Sequence, residues 1–258
     1  FISKLARMDK SMAFITLTPE NVMSEHLCCA IADKKHQTGV NDKRNWLAER
    51  IKEGHVFRKL DAQGKVFIEY APLEKAGVPV TGDNYFYIYC LWVSGSYKGK
   101  GYGKELLQSC IDDAKAQGKS GICLLSSKKK KPFLSEKKFM LKYGFKVVDT
   151  INDEYELLAL SFDGTQPQFT SNVRKQSIEG KELTIYYGVQ CPYIPNCIEQ
   201  IYNYCENNQI PLRLVEIDTL EKAKQLPCIF NNWAVFYNGK FETVHLLNEG
   251  LLKKLLLR

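Results

Sequence analysis

The sequence predicts an α/β (α+β) chain built as two successive units, and three observations carry that prediction. Hydrophobic periodicity alternates between helical and strand spacing, first in the order α-α-β-β-β-α-β-α-β-β and then as β-α-β-α-β-β-α. Between these runs lies a polar stretch without periodicity. Within the first run a strand leads directly into alternate glycines threaded with lysines and then into a helix: Leu91-Trp92-Val93-Ser94-Gly95-Ser96-Tyr97-Lys98-Gly99-Lys100-Gly101-Tyr102-Gly103-Lys104. The length of 258 residues suits two domains. The boundaries expected are 1–163, a linker at 164–181, and 182–258.

The elements follow in order. Thr18-Pro19-Glu20 reads as a helix start, with an N-cap, a first-turn proline and an acid, followed by Met23, Leu27, Ala30 and Ile31 at helical spacing. A second helix is expected over 42–52, with Trp46, Leu47 and Ile51 inward and Gly54 just beyond its end. Residues 55–60 and 65–70 read as a hairpin, and 85–93 as a strand. A helix over 101–117 turns Leu106, Leu107, Cys110, Ile111 and Ala114 to one face and stops at Gly118. Then come a strand at 121–126, a helix at 135–143 and strands at 145–149 and 155–162. In the second unit strands are expected at 183–188 and 212–218, and helices at 197–207, 221–225 and 251–257. A hairpin over 233–237 and 240–246 turns at Asn238-Gly239.

Composition narrows the function. The charge is +7, and 1–164 holds 26 Lys+Arg against 20 Asp+Glu, so the basic excess belongs to the half with the glycine-lysine loop. An anionic ligand fits that excess. Nothing resembles a nucleic-acid recognition helix or an aromatic RNA-binding strand pair, so no nucleic-acid partner is expected. No apolar run approaches the ~18 residues of a membrane span, and 1–4 show no secretory apolar region. Nine cysteines, an odd number with several inside apolar runs, point to reduced thiols and a cytoplasmic protein. No His/Cys cluster has zinc spacing, so no metal is expected.

The loop is the most specific signal. A strand that delivers a basic, glycine-rich turn to a helix N-terminus presents unpaired N–H groups and a favourable dipole to an anion. Spacing excludes two phosphate-binding loops. G-x-G-x-x-G fails because Lys104 stands sixth, and the Walker A pattern fails because Glu105 follows Gly103-Lys104. The segment does fit Gln/Arg-x-x-Gly-x-Gly/Ala, with Lys98 first and Gly101 and Gly103 last. This segment resembles the acetyl-CoA pyrophosphate loop of the GNAT N-acetyltransferases. Phe139-Met140-Leu141-Lys142-Tyr143-Gly144-Phe145 resembles their late Phe-Tyr-x-x-x-Gly-Phe motif, and the element order over 12–162 is theirs.

The resemblance implies a mixed, mostly antiparallel sheet flanked by helices, with a bulge that splays the central strand from its neighbour. It implies direct attack of an amine on acetyl-CoA. Leu91, Trp92 and Val93 would hold the pantetheine, and Gly99, Lys100, Gly101, Tyr102, Gly103 and Lys104 the pyrophosphate, with Lys98 adding charge. Two departures stand out. Met140 occupies the position of the Tyr that protonates the leaving thiolate, and methionine donates no proton. Phe133 stands where the family has a pantetheine-binding Asn. Candidate acids are therefore Tyr143, Ser126 and Ser127, and candidate bases are Glu69 or a water relayed by Tyr87 or Tyr89. The run Lys128-Lys129-Lys130-Lys131 reads as a solvated loop or as a contact for the CoA 3′-phosphate.

The second unit has the element order of thioredoxin. Cys191-Pro192-Tyr193-Ile194 resembles the Cys-Pro-Tyr-Cys of glutaredoxins with the second Cys replaced. Cys191, Cys197 and Cys228 are the candidate thiol site, open to monothiol chemistry or pairing. Asn231 and Asn232 stand near the place of the usual cis-proline. Leu226-Pro227-Cys228-Ile229-Phe230 and the run 235–241 resemble bacterial proteins that carry a YoaP-like domain after an acetyltransferase. The function expected is acetyl-CoA-dependent transfer to a primary amine of a small molecule or peptide, with the second domain shaping the acceptor cleft or a homodimer. The alternative is a CoA-binding protein without turnover, whose thioredoxin-like domain binds partners or senses thiols.

Overall fold

A computed structural model describes residues 13–27, 30 and 33–257. In chain order the elements are β1 (Phe14–Thr16), α1 (Gln37–Ile51), β2 (Val56–Leu60), β3 (Val66–Pro72), β4 (Val80–Thr81), β5 (Tyr85–Val93), α2 (Tyr102–Ala116), β6 (Gly121–Ser127), α3 (Lys137–Lys142), β7 (Lys146–Ile151), β8 (Tyr155–Ser161) and β9 (Gln168–Phe169). The C-terminal half adds β10 (Leu183–Tyr187), α4 (Ile194–Asn207), β11 (Leu212–Glu216), α5 (Leu220–Lys224), β12 (Trp233–Tyr237), β13 (Lys240–Thr243) and α6 (Glu249–Leu256). No helix among the described residues is long and apolar enough to cross a membrane.

Seven strands form one sheet in the order β1-β2-β3-β5-β6-β8-β7, antiparallel throughout except for the β5–β6 pair. Strand alternation sorts its side chains onto two faces. Val66, Ile68 and Tyr70 pack with Leu106, Leu107 and Cys110 of α2 on one face, and Phe67 packs with Leu47 of α1 on the other. A second sheet has the order β11-β10-β12-β13, with β10–β11 parallel.

The two sheets share a core. Ile229 and Val244 of the C-terminal half are buried with Tyr87, Leu125 and Leu157. The connecting segment is part of that body. It pairs as β9 with β4, buries Phe169 and Val173, and ties Arg174 to Asp149 at 2.7 Å. Its polar composition concealed these two apolar anchors.

Three boundaries differ from the sequence reading. The helix expected from Thr18 is absent: residues 19–24 form turns. The Arg44 guanidinium donates to the carbonyls of Val22 and Glu25, each at 3.0 Å, which a continuing helix would have used for its own ladder. Met23 is consequently exposed, while Val22 and Leu27 are buried; Ile31 lies outside the described residues. Helix α1 begins at Gln37 rather than 42, after a short 3₁₀ turn whose Asp33 carboxylate accepts from the Lys35 N–H at 3.0 Å. Helix α4 begins at Ile194 rather than 197, because Pro195 is tolerated in a first turn.

The early start of α1 matters to the assembly. Gly39 lies on its buried face, and a Cβ there would stand 2.0 Å from the Pro192 carbonyl oxygen. A glycine inside a helix weakens it; here it lets α1 touch the backbone of the C-terminal half. Gly39→Val should therefore lower stability by about 1–3 kcal/mol through overpacking, read as a lower urea midpoint. A neutral result would mean that the contact yields without cost.

Candidate active site

The sheet opens at its centre. β5 pairs with β6 only from Tyr85 to Tyr87, opposite Gly121 to Cys123, while β6 continues against β8 to Ser127. The cause lies on the other edge of β5. Glu69 of β3 pairs with Cys90 and the next residue, Tyr70, with Ile88, so Tyr89 is an inserted bulge residue. A bulge bends its strand and increases its twist. Beyond Tyr87 the ladder between β5 and β6 stops among the described residues.

The loop after β5 reaches α2 through Gly99 at φ +76° and Gly101 at φ +90°, a region that side chains with a Cβ rarely adopt. The N–H groups of Gly99, Lys100, Gly101, Tyr102 and Gly103 donate to no protein acceptor among the described residues. A Cβ at Gly99 would meet nothing within 4 Å. Gly103 sits over Phe139 and Val93, and its hypothetical Cβ would make ordinary contacts of 3.6–3.8 Å. Lys98, Lys100 and Lys104 are exposed. The result is an open, basic set of amide donors at a helix N-terminus.

On the other side of β5 is a cavity of about 370 Å³ between the two halves. Phe67, Tyr89, Cys90, Leu91 and Trp92 form one wall. The turn at 190–194, with Asn231, Asn232, Val244 and Leu246, forms the facing wall, and Phe133, Leu134 and Ser135 close an end. Two contacts position these walls: Asn231 Nδ2 donates to the Phe133 carbonyl at 2.5 Å, and the Tyr193 ring stands edge-on to His36 at 4.5 Å.

Behind the cavity Glu69 is completely buried. Its Oε2 accepts from Lys43 Nζ at 2.6 Å and from Gln190 Nε2 at 2.7 Å, and its Oε1 lies 3.0 Å from His55 Nε2. Gln190 Oε1 accepts from Asn232 Nδ2 at 2.6 Å. Burial pushes the Glu69 carboxyl up, but the Lys43 ammonium and the His55 hydrogen bond outweigh it and hold the group below its ordinary value. A carboxylate so stabilised is a weak proton acceptor. Glu69, the candidate base, therefore lies behind the cavity, and its partners Lys43 and Gln190, rather than Glu69 itself, line it.

The other candidates are dispersed. Leu91 and Trp92 line the cavity, while Val93 packs against Gly103. Ser126 is buried and donates to the Ser135 carbonyl at 2.8 Å. Ser127 is buried and donates to the Lys129 carbonyl. Tyr143 packs against Phe139 and lies outside the cavity lining. Met140 is buried in the core under α2. Tyr87 is buried, and desolvation drives its hydroxyl well above the ordinary tyrosine range. Tyr89 accepts from the Gly77 N–H at 2.9 Å. The lysine run is largely neutralised: Lys128 pairs with Asp153, Lys130 with Glu136 and Lys131 with Glu154.

Burial raises all three candidate thiols above their ordinary value. Cys197 is buried and donates to the Leu247 carbonyl at 3.0 Å, and burial pushes it up to about 12. Cys228 is buried and also raised by burial. Cys191 lines the cavity but is raised from its ordinary 9.0, because desolvation outweighs the Tyr193 backbone hydrogen bond and the nearby Lys43. No group of His, Cys, Asp and Glu among the described residues could hold a metal ion.

Comparison with known proteins bears on these features. A family model described as "Acetyltransferase (GNAT) family" matches residues 20–145. A "YoaP-like" model matches 211–254. A protein of Bacillus subtilis (strain 168), described as "Uncharacterized N-acetyltransferase YoaP", is 39% identical over 95% of this chain and 98% of its own. The chain belongs to the GNAT acetyltransferase family. It is an N-acetyltransferase with a YoaP-like C-terminal domain, and acetyl-CoA is the co-substrate of its family. Among solved structures, the PaiA N-acetyltransferase of Thermoplasma acidophilum in complex with coenzyme A is similar at 18% identity. It covers 58% of this chain and 100% of that one, with a TM-score of 0.40. A GNAT acetyltransferase of Brucella melitensis in complex with acetyl-CoA is similar at 16% identity. It covers 61% and 92%, with a TM-score of 0.39.

Two outcomes check this description. The folded Glu69 carboxyl titrates below its ordinary 4.5, so the stability it contributes is complete above about pH 4.5 and is lost as pH falls through the lowered folded value. Glu69→Gln should flatten that acid limb. At pH 7 it should cost about 3–5 kcal/mol by leaving Lys43 buried without its counter-charge, measured by urea unfolding across pH. For the thiols, iodoacetamide at pH 7 should label Cys191 more slowly than free cysteine, since a raised pKa lowers the thiolate fraction. Faster labelling would contradict the desolvated environment.

Proposed function

We propose that the enzyme binds acetyl-CoA along the opened edge of β5, with its pyrophosphate on the 98–104 loop, and acetylates a primary amine of a small molecule or peptide that occupies the cavity between the two halves. The observation that carries this reading is the bulge at Tyr89. It frees the amide edge of β5 toward β6 and turns Tyr89 and Cys90 toward the cavity, so donor and acceptor sites adjoin the same short stretch of strand.

The chemistry follows from the groups present. The amine nitrogen attacks the thioester carbonyl, the C–N bond forms, the C–S bond breaks and CoA leaves as a thiol of pKa ~8.5. Backbone N–H groups on the freed edge of β5 are suited to the carbonyl oxygen as it gains charge. The amine must lose a proton before it attacks. Desolvation in an apolar cavity lowers an amine's pKa and favours the neutral, nucleophilic form. On this reading Glu69 positions Lys43 and Gln190, and the fully built acid–base pair common to many enzymes is not required.

The C-terminal half serves as the second wall of the acceptor site, on a thioredoxin-like scaffold without thiol turnover. The β-α-β-α-β-β-α order, Ile194 in place of a second active-site cysteine and the raised Cys191 thiol support this role.

Thiol release from acetyl-CoA across a panel of amines tests the proposal, and absence of release with every amine would overturn it. The loop gives a sharper check. Gly103→Ala meets only ordinary contacts inside the protein, so its melting temperature should hold or rise. Its acetyl-CoA KM should rise roughly tenfold or more, the equivalent of about 1.4 kcal/mol of lost backbone approach. Lys98→Ala, a change to an exposed charge, should raise KM only a few-fold, by an amount that shrinks as salt increases.

A further inference from the structure

The cavity has an asymmetric charge. Among the described residues that line it none bears a carboxylate, and two are lysines. Lys43 is balanced by Glu69 directly behind it, at 2.6 Å. Lys65, just before β3, is different. It is half-buried, its Nζ reaches Tyr193 Oη at 3.5 Å, and it makes no ion pair among the described residues. The other surfaces are amide or apolar: Asn231, Asn232 and Gln190 on one side, and Phe67, Trp92 and Leu246 among the rest. At about 370 Å³ the space lies near the lower end of small-molecule sites, which run from about 300 to 1,000 Å³.

These features select against the commonest amines. A polyamine or an aminoglycoside would bring a second ammonium group into a cavity that offers it no carboxylate and already holds an unbalanced lysine. Burying a charge without a partner is strongly unfavourable. An acceptor that carries one carboxylate and an apolar body reverses each of these penalties. Its anion pairs with Lys65, its body covers Trp92 and Leu246, and its amine loses a proton readily on desolvation.

We propose that the acceptor is an amino acid with an apolar or aromatic side chain, held by its carboxylate on Lys65 and acetylated on its α-amine. This rests on the acetyl-transfer reading above and names the substrate class of that same site. The step balances without a further reactant. The α-amine lone pair forms the C–N bond, the thioester C–S bond breaks, and the proton shed by nitrogen ends on the CoA thiolate or in solvent. The products are an N-acetyl amino acid and free CoA.

The test uses the full chain, saturating acetyl-CoA, thiol release as readout, and three acceptors: L-phenylalanine, L-phenylalaninamide and spermidine. The amide keeps the ring and the amine but lacks the carboxylate, and its α-amine deprotonates more readily, so intrinsic nucleophilicity favours the amide. Loss of a charge-assisted hydrogen bond predicts kcat/KM for phenylalanine at least about tenfold above that for the amide, with spermidine lowest. In Lys65→Met that ratio should fall at least about tenfold from its wild-type value, while Lys65→Arg should retain a clear preference for the acid. Acetyl-CoA affinity, measured by calorimetry, should change less than about twofold in either variant, since the contact is with the acceptor. Equal or better use of the amide, a preference for spermidine, or a Lys65→Met enzyme that loses acetyl-CoA binding but keeps the ratio would each overturn the inference. Those results leave acetyl transfer itself standing, whereas no thiol release with any of the three and with a wider amine panel overturns both.

Discussion

A single carboxylate holds this molecule's working parts in register. Glu69 is buried inside an apolar strand, a placement that is strongly unfavourable for an unpaired charge. Its partners come from three other places: Lys43 from α1, His55 from the turn before β2, and Gln190 from the C-terminal half. Around them Trp46 meets the His55 ring edge-on at 5.1 Å and Tyr89 stacks on it at 5.3 Å. A buried ion pair adds little net stability by itself, because desolvation offsets attraction. What it imposes is geometry, since each partner must be in place for the charge to be tolerated. The anchor also stands at the register step where β5 is bulged, so the point that fixes the layers is the point where the sheet opens.

The C-terminal half follows from that constraint. Gln190 gives one amide proton to Glu69 and accepts from Asn232, so the turn at 190–194 and the approach to β12 are tied to the floor of the cavity. Lys224 of α5 donates to the carbonyls of Leu73 and Val80, and its burial lowers it to about 8. With Ile229 and Val244 in the shared core and β9 bound to β4, the second sheet is built against the first over a broad area. Domain contacts of this kind make the interface a natural place for a ligand cavity, because neither surface needs to be concave alone.

Local signals made much of this legible from sequence. The strands, helix α2 and the glycine loop were marked by periodicity and by positive-φ glycines, which depend on near neighbours. Features decided at long range were not. Thr18-Pro19-Glu20 carries every local helix signal, and Arg44 takes the carbonyls that the helix needed. Glu69 looked like a free acid because Lys43 is 26 residues away and Gln190 is 121. Two sequence clues pointed to the anchor: Lys43 falls on the same helical stripe as Gly39 and Leu47, and Glu69 interrupts a strand that is otherwise uniformly apolar. Phe169 and Val173 were hidden by the polar residues around them, and the role of Gly39 appears only against Pro192.

The departures from the family motif also gain a physical reading. Met140 replaces a proton donor, yet it is buried in the same core cluster as Leu106 and Phe145. Neighbouring positions do not restore the donor: Ser126 and Ser127 are committed to carbonyls, and Tyr143 lies outside the cavity lining. On the proposed reading the site has no dedicated acid or base and obtains its proton transfers from its environment. On that reading an apolar cavity, with lysines and no carboxylate among its described lining residues, disfavours an ammonium ion and favours the neutral amine. The positive N-terminus of α2 and the exposed lysines of its loop favour negative charge on the departing CoA. Both effects act on the charge that changes during transfer, one by destabilising the reactant's cation and the other by stabilising the product's anion. On this reading the same field that excludes polycationic acceptors also drives the chemistry, so specificity and rate share one electrostatic origin.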